Sequence, residues 1–234
     1  MEQKNRLWYK KPAQQWIEAL PIGNGRMGAM VYGGTWGEKV QIDERSFWSG
    51  AASESNSRPG TKQLMDKIRT ELLKGDYEKA DELGHDFVGD KNLYGTNMPV
   101  GELKLEICGD FGKGGEIQDY VRYLELESSL AGTEFTYKGK QFFRECFVSN
   151  PEQVFCMKME AEEPFDLEIR YEGIGNNTRL SEWDGSCMGI TGDALESLHS
   201  DGRHGVHLEG CMMVLQTERH PVRLTASESN GQKG

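Results

Sequence analysis

From Gly101 to Leu215 the chain alternates apolar and polar residues with a period of two, and this alternation constrains the fold more than any other feature. Leu103, Leu105 and Ile107 are interleaved with Glu102, Lys104 and Glu106. A strand with one face on a core and the other in water reads this way, because successive side chains point to opposite faces. Tyr120 to Leu126 follows the same rhythm, with Tyr123 the exception. Thr133 to Tyr137 and Gln141 to Val148 flank Lys138-Gly139-Lys140, a turn that predicts a hairpin. Further strands are expected over 153–159 and 165–171, with Pro164 at the turn between them, and over 189–191 and 205–215. Many short antiparallel strands separated by glycine-rich turns predict a sandwich.

Upstream, residues 7–48 also read as β. Arg26 to Tyr32 and Lys39 to Asp43 are expected strands joined by Gly33-Gly34-Thr35-Trp36-Gly37. Between 61 and 88 the period changes. Leu64, Ile68 and Leu72, with Met65 and Leu73, recur at helical spacing from a start near Pro59-Gly60-Thr61 to a stop at Lys74-Gly75. Asp76 is a suitable N-cap for a second helix bearing Tyr77, Ala80 and Leu83, and Gly84 suggests its end or a kink. The expected fold is therefore mainly β: a large antiparallel β-sandwich with a short helical-hairpin insertion at about 61–88.

Composition narrows the function classes. Charged residues make up 28% and apolar ones 36% of 234 residues, enough for a substantial core and too apolar for disorder. A formal charge of −11 opposes binding to nucleic acid or an anionic membrane and suits a neutral substrate. No apolar run approaches membrane-spanning length, and the opening MEQKNRLWYK has no signal-peptide core. The expectation is a cytoplasmic protein, in which the sequon Asn176-Asn177-Thr178 stays unmodified. The five cysteines (Cys108, Cys146, Cys156, Cys187 and Cys211) form no CxxC pair, so zinc and redox roles are set aside in favour of buried reduced thiols. No cofactor and no metal is expected.

Trp16 to Gly50 carries seven glycines and a formal dinucleotide fingerprint, Gly23-Asn24-Gly25-Arg26-Met27-Gly28, with Asp43 and Glu44 near the spacing of a ribose-binding acid. Context argues against a nucleotide. Such a fingerprint follows a buried strand and opens a helix. Here Leu20-Pro21-Ile22 is too short and proline-broken for a central strand, and Ala29-Met30-Val31-Tyr32 runs straight into Gly33-Gly34.

The same stretch carries a resemblance. Leu7-Trp8-Tyr9, Pro12-Ala13 and Trp16, then Ala19 to Met30 (ALPIGNGRMGAM), then Gln41-Ile42-Asp43-Glu44 with Phe47-Trp48-Ser49-Gly50, resemble in order the opening of the N-terminal domain of family 95 glycoside hydrolases, the α-L-fucosidases. Asp43 and Arg45 are modest departures. The likeness extends to about Thr217. It implies a two-sheet sandwich that precedes a catalytic (α/α)6 barrel in the same polypeptide. It also implies inverting hydrolysis of terminal α-linked fucose, with α-1,2 the expected linkage, without a metal. The family's catalytic carboxylates and asparagines lie in the barrel, and no residue of this chain matches those motifs. The chain is therefore expected to be an accessory domain, inactive by itself, with the barrel as its partner and a fucosylated oligosaccharide as a candidate ligand. The alternative is a free-standing carbohydrate-binding module.

Asp43 and Glu44 are adjacent and would diverge on a strand, which is the wrong placement for a paired acid and base. His204 and His207, near His199 and Asp201, would likewise diverge, so a solvated hairpin is favoured over a metal site. Of the five tryptophans, Trp8 and Trp16 are expected in the core or at a domain interface. Asn24 and Arg26, in the glycine-rich turn, and Trp48, in a loop of small polar residues, are the candidates to face substrate or barrel. Their plainer role is loop-internal hydrogen bonding and packing. Residues 1–217 are expected to form the sandwich domain. After Thr217 the sequence ERHPVRLTASESNGQKG loses both periods and is expected to be a polar tail, disordered or the product of truncation or a frameshift.

Overall fold

The computed structural model describes residues 5–51, 60–87, 94–109, 115–173, 179–184 and 187–215. The polar segment 218–234 and the sequon at 176–178 lie outside the described residues. The chain divides into two units. The first comprises Met1–Phe47, Asn97–Asp193 and His207–Gly234; the second comprises Trp48–Thr96 and Ala194–Val206.

The first unit is antiparallel β throughout its described sheets. One five-stranded sheet has β1 (Arg6–Tyr9), β6 (Ile117–Glu125), β7 (Leu130–Tyr137), β8 (Lys140–Val148) and β9 (Phe155–Ala161), in that spatial order. The second runs β10 (Asp166–Gly173), β5 (Gly101–Cys108), β4 (Gly37–Glu44), β3 (Met27–Val31) and β2 (Leu20–Gly23). A third sheet joins β11 (Arg179–Asp184), β12 (Cys187–Asp193) and β13 (His207–Met213).

The alternation decides which faces meet. Leu20, Ile22, Ala29, Val31 and Val40 of the second sheet pack with Leu124, Ala131 and Cys146 of the first. Leu105, Ile107, Leu167 and Ile169 pack with Phe135, Tyr137 and Phe142. These are the two inner faces of a sandwich. The outer face of the second sheet is instead a lattice of charges: Lys39 lies 3.8 Å from Glu102, and Lys104 bonds Glu172 at 2.5 Å. Solvent on one side and core on the other explains the alternation along β5.

Turn chemistry behaves as the residues predict. Lys138 and Gly139 both take positive φ (51° and 77°), the two-residue turn whose twist matches the flanking strands. Pro21 lies on edge strand β2, where a missing N–H is tolerated. The fingerprint glycines lie in and beside the β2–β3 hairpin turn, closed by Asn24 N–H donating to the Met27 carbonyl at 3.1 Å, and no helix follows.

Tyr123, the exception to the rhythm, points to the outer face and is nevertheless buried. A Cβ on its cross-strand partner Gly132 would lie 2.2 Å from the Tyr123 ring, so the ring lies across the bare glycine. The Arg6 guanidinium covers the ring, 3.3 Å from its centroid.

Two expectations about burial are corrected in this unit. Trp8 and Trp16 do not join the core; they are 55% and 56% exposed, β1 being an edge strand and Trp16 standing on a short 3-10 turn (Trp16–Glu18), which removes the core half of that expectation and leaves the domain interface. The thiols are not uniformly buried either. Cys146 and Cys187 are buried, but Cys211 is exposed on β13.

The second unit holds α1 (Thr61–Lys74) and α2 (Tyr77–Phe87). Gly75 ends α1 in the left-handed conformation, its N–H directed at the carbonyls of Glu71 and Leu72. Asp76 then caps α2 by accepting the Lys79 N–H at 3.0 Å. Gly84 does not end this helix, which continues to Phe87, and a Cβ at that position would meet nothing within 4 Å. No helix among the described residues is long and apolar enough to cross a membrane.

Candidate functional site

Three constellations carry concentrated polar chemistry, two in the first unit and one in the second. The first is the turn of the β2–β3 hairpin. Asn24 Oδ1 accepts the N–H groups of Arg26 (2.9 Å) and Met27 (2.8 Å), while its Nδ2 donates to the Ser149 carbonyl at 2.8 Å. Both ends of the amide are thus engaged in holding the turn and tying it to the chain after β8. Arg26 differs. Its Nε donates to Glu44 Oε1 at 3.0 Å, yet its side chain remains 58% exposed. The other oxygen of Glu44 accepts the Ser46 N–H at 2.8 Å, and these donors hold its carboxyl below the usual range against the opposing effect of burial. The turn therefore presents a guanidinium fixed at one nitrogen, with its remaining donors available. Asp43 sits beside Glu44 on the opposite face of β4, and its partly buried carboxyl is pushed up by desolvation. The two carboxylates diverge, as their adjacency requires.

The second constellation is inside the sandwich. Arg144 on β8 and Glu38 on β4 are 4% exposed each and form a cross-sheet ion pair. Arg144 also donates to the carbonyls of Gly34 and Thr35, both at 3.2 Å. Glu38 Oε1 accepts from Gly33 N–H (3.0 Å) and Lys39 N–H (2.9 Å). Burial pushes the Glu38 carboxyl up, against the pull of Arg144 and these backbone donors. Arg122, in register with Thr133 and through it with Arg144, donates to the carbonyls of Lys11 (2.8 Å) and Glu18 (2.7 Å). Tyr120 donates to the Gly33 carbonyl at 2.5 Å. These groups stitch the irregular segments 11–18 and 33–35 to the sheets. A cavity of about 10 Å³ borders Arg144 and Phe142, the scale of one water and far too small for a sugar. Sequence reading missed this network. The available signal was a charge on the inward phase, Arg144 between Phe142 and Cys146.

The third lies in the second unit, where segments 48–51, 94–96 and 194–206 are laced together. Ser49 bridges Gly205, with Gly50 N–H donating to the His204 carbonyl (2.7 Å) and Val206 N–H to the Trp48 carbonyl (2.9 Å). Ser49 is 3% exposed; its Oγ bonds Glu196 at 2.8 Å and accepts the Thr96 N–H at 2.8 Å. Glu196 in turn accepts the N–H groups of Leu198 (2.7 Å) and His199 (2.9 Å). Asp201 does the same for its own loop, accepting from Arg203 (2.9 Å) and His204 (3.0 Å), and its other oxygen lies 2.5 Å from His204 Nδ1. These donors hold the Asp201 carboxyl down at about 2. Trp48 is 44% exposed at the edge of this lacing.

Of the expected site residues, Asn24 and Arg26 come together in one turn, and Trp48 belongs to the other unit. The histidines pair with separate acids: His204 with Asp201, and His207 with Asp193 at 2.8 Å. Among the described residues no three His, Cys, Asp or Glu side chains gather as a metal site.

Comparison with known proteins gives this framework a family. Residues 7–231 match the family described as glycosyl hydrolase family 65, N-terminal domain. The chain is 30% identical over 166 residues to "Alpha-L-fucosidase 2" of Arabidopsis thaliana, covering 70% of this chain and 19% of that protein. It is 27% identical over 190 residues to "Probable alpha-fucosidase A" of Aspergillus oryzae, covering 78% of this chain and 25% of that one. The chain thus spans about a fifth to a quarter of the length of these relatives. With its sandwich and helical hairpin, it belongs to the glycosyl hydrolase family 65 N-terminal domain family.

Proposed function

We propose that this domain is the accessory N-terminal β-sandwich of a family 95 α-L-fucosidase-type glycoside hydrolase, not catalytic by itself. In this reading it packs on a catalytic (α/α)6 barrel that cleaves terminal α-linked fucose with inversion. The observation that carries the reading is the similarity to fucosidases of which the chain matches only about a fifth to a quarter. Arg26 fits the contact, because a guanidinium held at one nitrogen by Glu44 still offers donors to a neighbouring carboxylate or carbonyl. Asn24 serves it indirectly, by shaping the turn that carries Arg26.

Two measurements test this. The gene beyond the codon for Gly234, translated in all forward frames, is expected to encode a helical region bearing paired carboxylates; unrelated sequence there would remove the partner. The purified chain is expected to release no fucose from 2′-fucosyllactose, and turnover that co-purifies with it would overturn the accessory role. A second reading, a carbohydrate-binding module, is favoured by the exposure of Trp8, Trp16 and Trp48.

A further inference from the structure

We infer that the laced loops of the second unit form a contact site for a neutral pyranose, with Trp48 as its stacking platform and His204 as its hydrogen-bonding group. The register around the Ser49–Gly205 bridge sets the arrangement. Trp48 stands opposite Val206, and Gly50 opposite His204, on the side of the pair away from Ser49 and Gly205. The far side is closed. Ser49 is buried against Glu196 and Thr96, and a Cβ at Gly205 would fall 1.9 Å from the Ala194 carbonyl oxygen. The near side is partly exposed: Trp48 is 44% and Val206 39% exposed, and the His204 side chain is 64% exposed. Gly50 adds no side chain between Trp48 and His204.

The chemistry of that face suits a sugar. An indole beside a valine offers a flat apolar surface for the C–H face of a pyranose ring, and tryptophan in such a setting supplies area at low entropic cost. His204 is oriented rather than free to rotate, since Asp201 holds Nδ1 at 2.5 Å while fixing the loop through the N–H groups of Arg203 and His204. With Nδ1 turned to Asp201, Nε2 is the ring nitrogen left to meet a sugar hydroxyl. Glu196 locks the other loop through Leu198, His199 and Ser49, so the platform does not depend on a ligand for its shape. The adjoining carboxylates and the formal charge of −11 disfavour an anionic ligand.

The site rests on the carbohydrate reading above but not on the presence of a barrel. Its test is titration of 2′-fucosyllactose into the full chain, followed by tryptophan fluorescence and by the His204 ring proton in NMR. Saturable quenching with a moving His204 signal is expected. Trp48→Ala and His204→Ala should each weaken binding at least tenfold at an unchanged melting temperature, with Trp48→Phe restoring most of it and Trp8→Ala without effect. No saturable response in the unaltered chain, or equal affinity in folded Trp48→Ala, overturns the site. Neither result bears on the accessory role, which the sequence beyond Gly234 and the hydrolysis assay decide separately. If Trp48→Ala unfolds, binding by Trp48→Phe with loss in His204→Ala still supports the site, and retention in His204→Ala overturns it.

Discussion

Replacing Glu38 by glutamine should destabilise the sandwich more than replacing both Glu38 and Arg144. Glu38 and Arg144 are each 4% exposed and are charged partners across the two sheets. Removing the charge from one member of a buried pair leaves the other charge uncompensated, which costs about 3–5 kcal/mol. Glutamine keeps an acceptor for the N–H groups of Gly33 and Lys39, so the loss in Glu38→Gln falls on the Arg144 charge. Arg144→Met leaves a buried carboxylate and should cost a similar amount. In the double variant no charge remains buried. Its cost is confined to the carbonyls of Gly34 and Thr35, which lose their Arg144 donors, about 1–3 kcal/mol together. Urea denaturation reads this directly. With a slope of about 2.5 kcal/mol per molar, the single variants should lose about 1.2–2 M in midpoint, and the double variant about 0.4–1.2 M. The deficit of Arg144→Met should also shrink as pH falls. Burial already pushes the Glu38 carboxyl up, so its charge penalty is present above the folded-state value and is relieved as pH drops through it. A Glu38→Gln cost below about 1 kcal/mol, or single costs that sum to the double, would refute the argument.

Three further outcomes are expected. Asn24→Ala removes the acceptor for two turn N–H groups and the tie to Ser149, and should cost about 2 kcal/mol in a denaturant melt; an unchanged midpoint would show the turn holds itself. Gly132→Ala forces the Tyr123 ring off the sheet and should cost about 1–3 kcal/mol, yet be nearly silent in a Tyr123→Ala background, so equal costs in both would contradict the packing. The hydrogen bond to Asp193 raises the His207 pKa above the ordinary 6.5, so the stabilisation it brings is fully present below 6.5 and is lost as pH rises through the folded value. Amide exchange on β13 should accordingly quicken above that pH, and Asp193→Asn should remove the dependence.

Much of this fold is legible locally. Leu103, Leu105 and Ile107 name a half-buried strand, Lys138-Gly139 names a two-residue turn, and Asp76 names a helix start, because each rests on the stereochemistry of a few adjacent residues. The proline in Leu20-Pro21-Ile22 and the absence of helical spacing after Gly28 argue locally against the strand–turn–helix of a dinucleotide fingerprint, and the segment forms the β2–β3 hairpin. Other features depend on partners far along the chain. Trp8 is exposed because β1 pairs with β6, more than a hundred residues away, and among the described residues no strand pairs with its other edge. Arg144 is buried because β8 faces β4, which brings Glu38 to meet it. Trp48 and His204 share a face because segments about 150 residues apart pair at Ser49 and Gly205. The sequence by itself determined most strands, the turns, the helical hairpin and the likeness to glycoside hydrolase N-terminal domains. Tertiary structure alone decided which charges are buried and which aromatic rings are exposed, since burial is set by what packs on a residue and not by its neighbours in the chain.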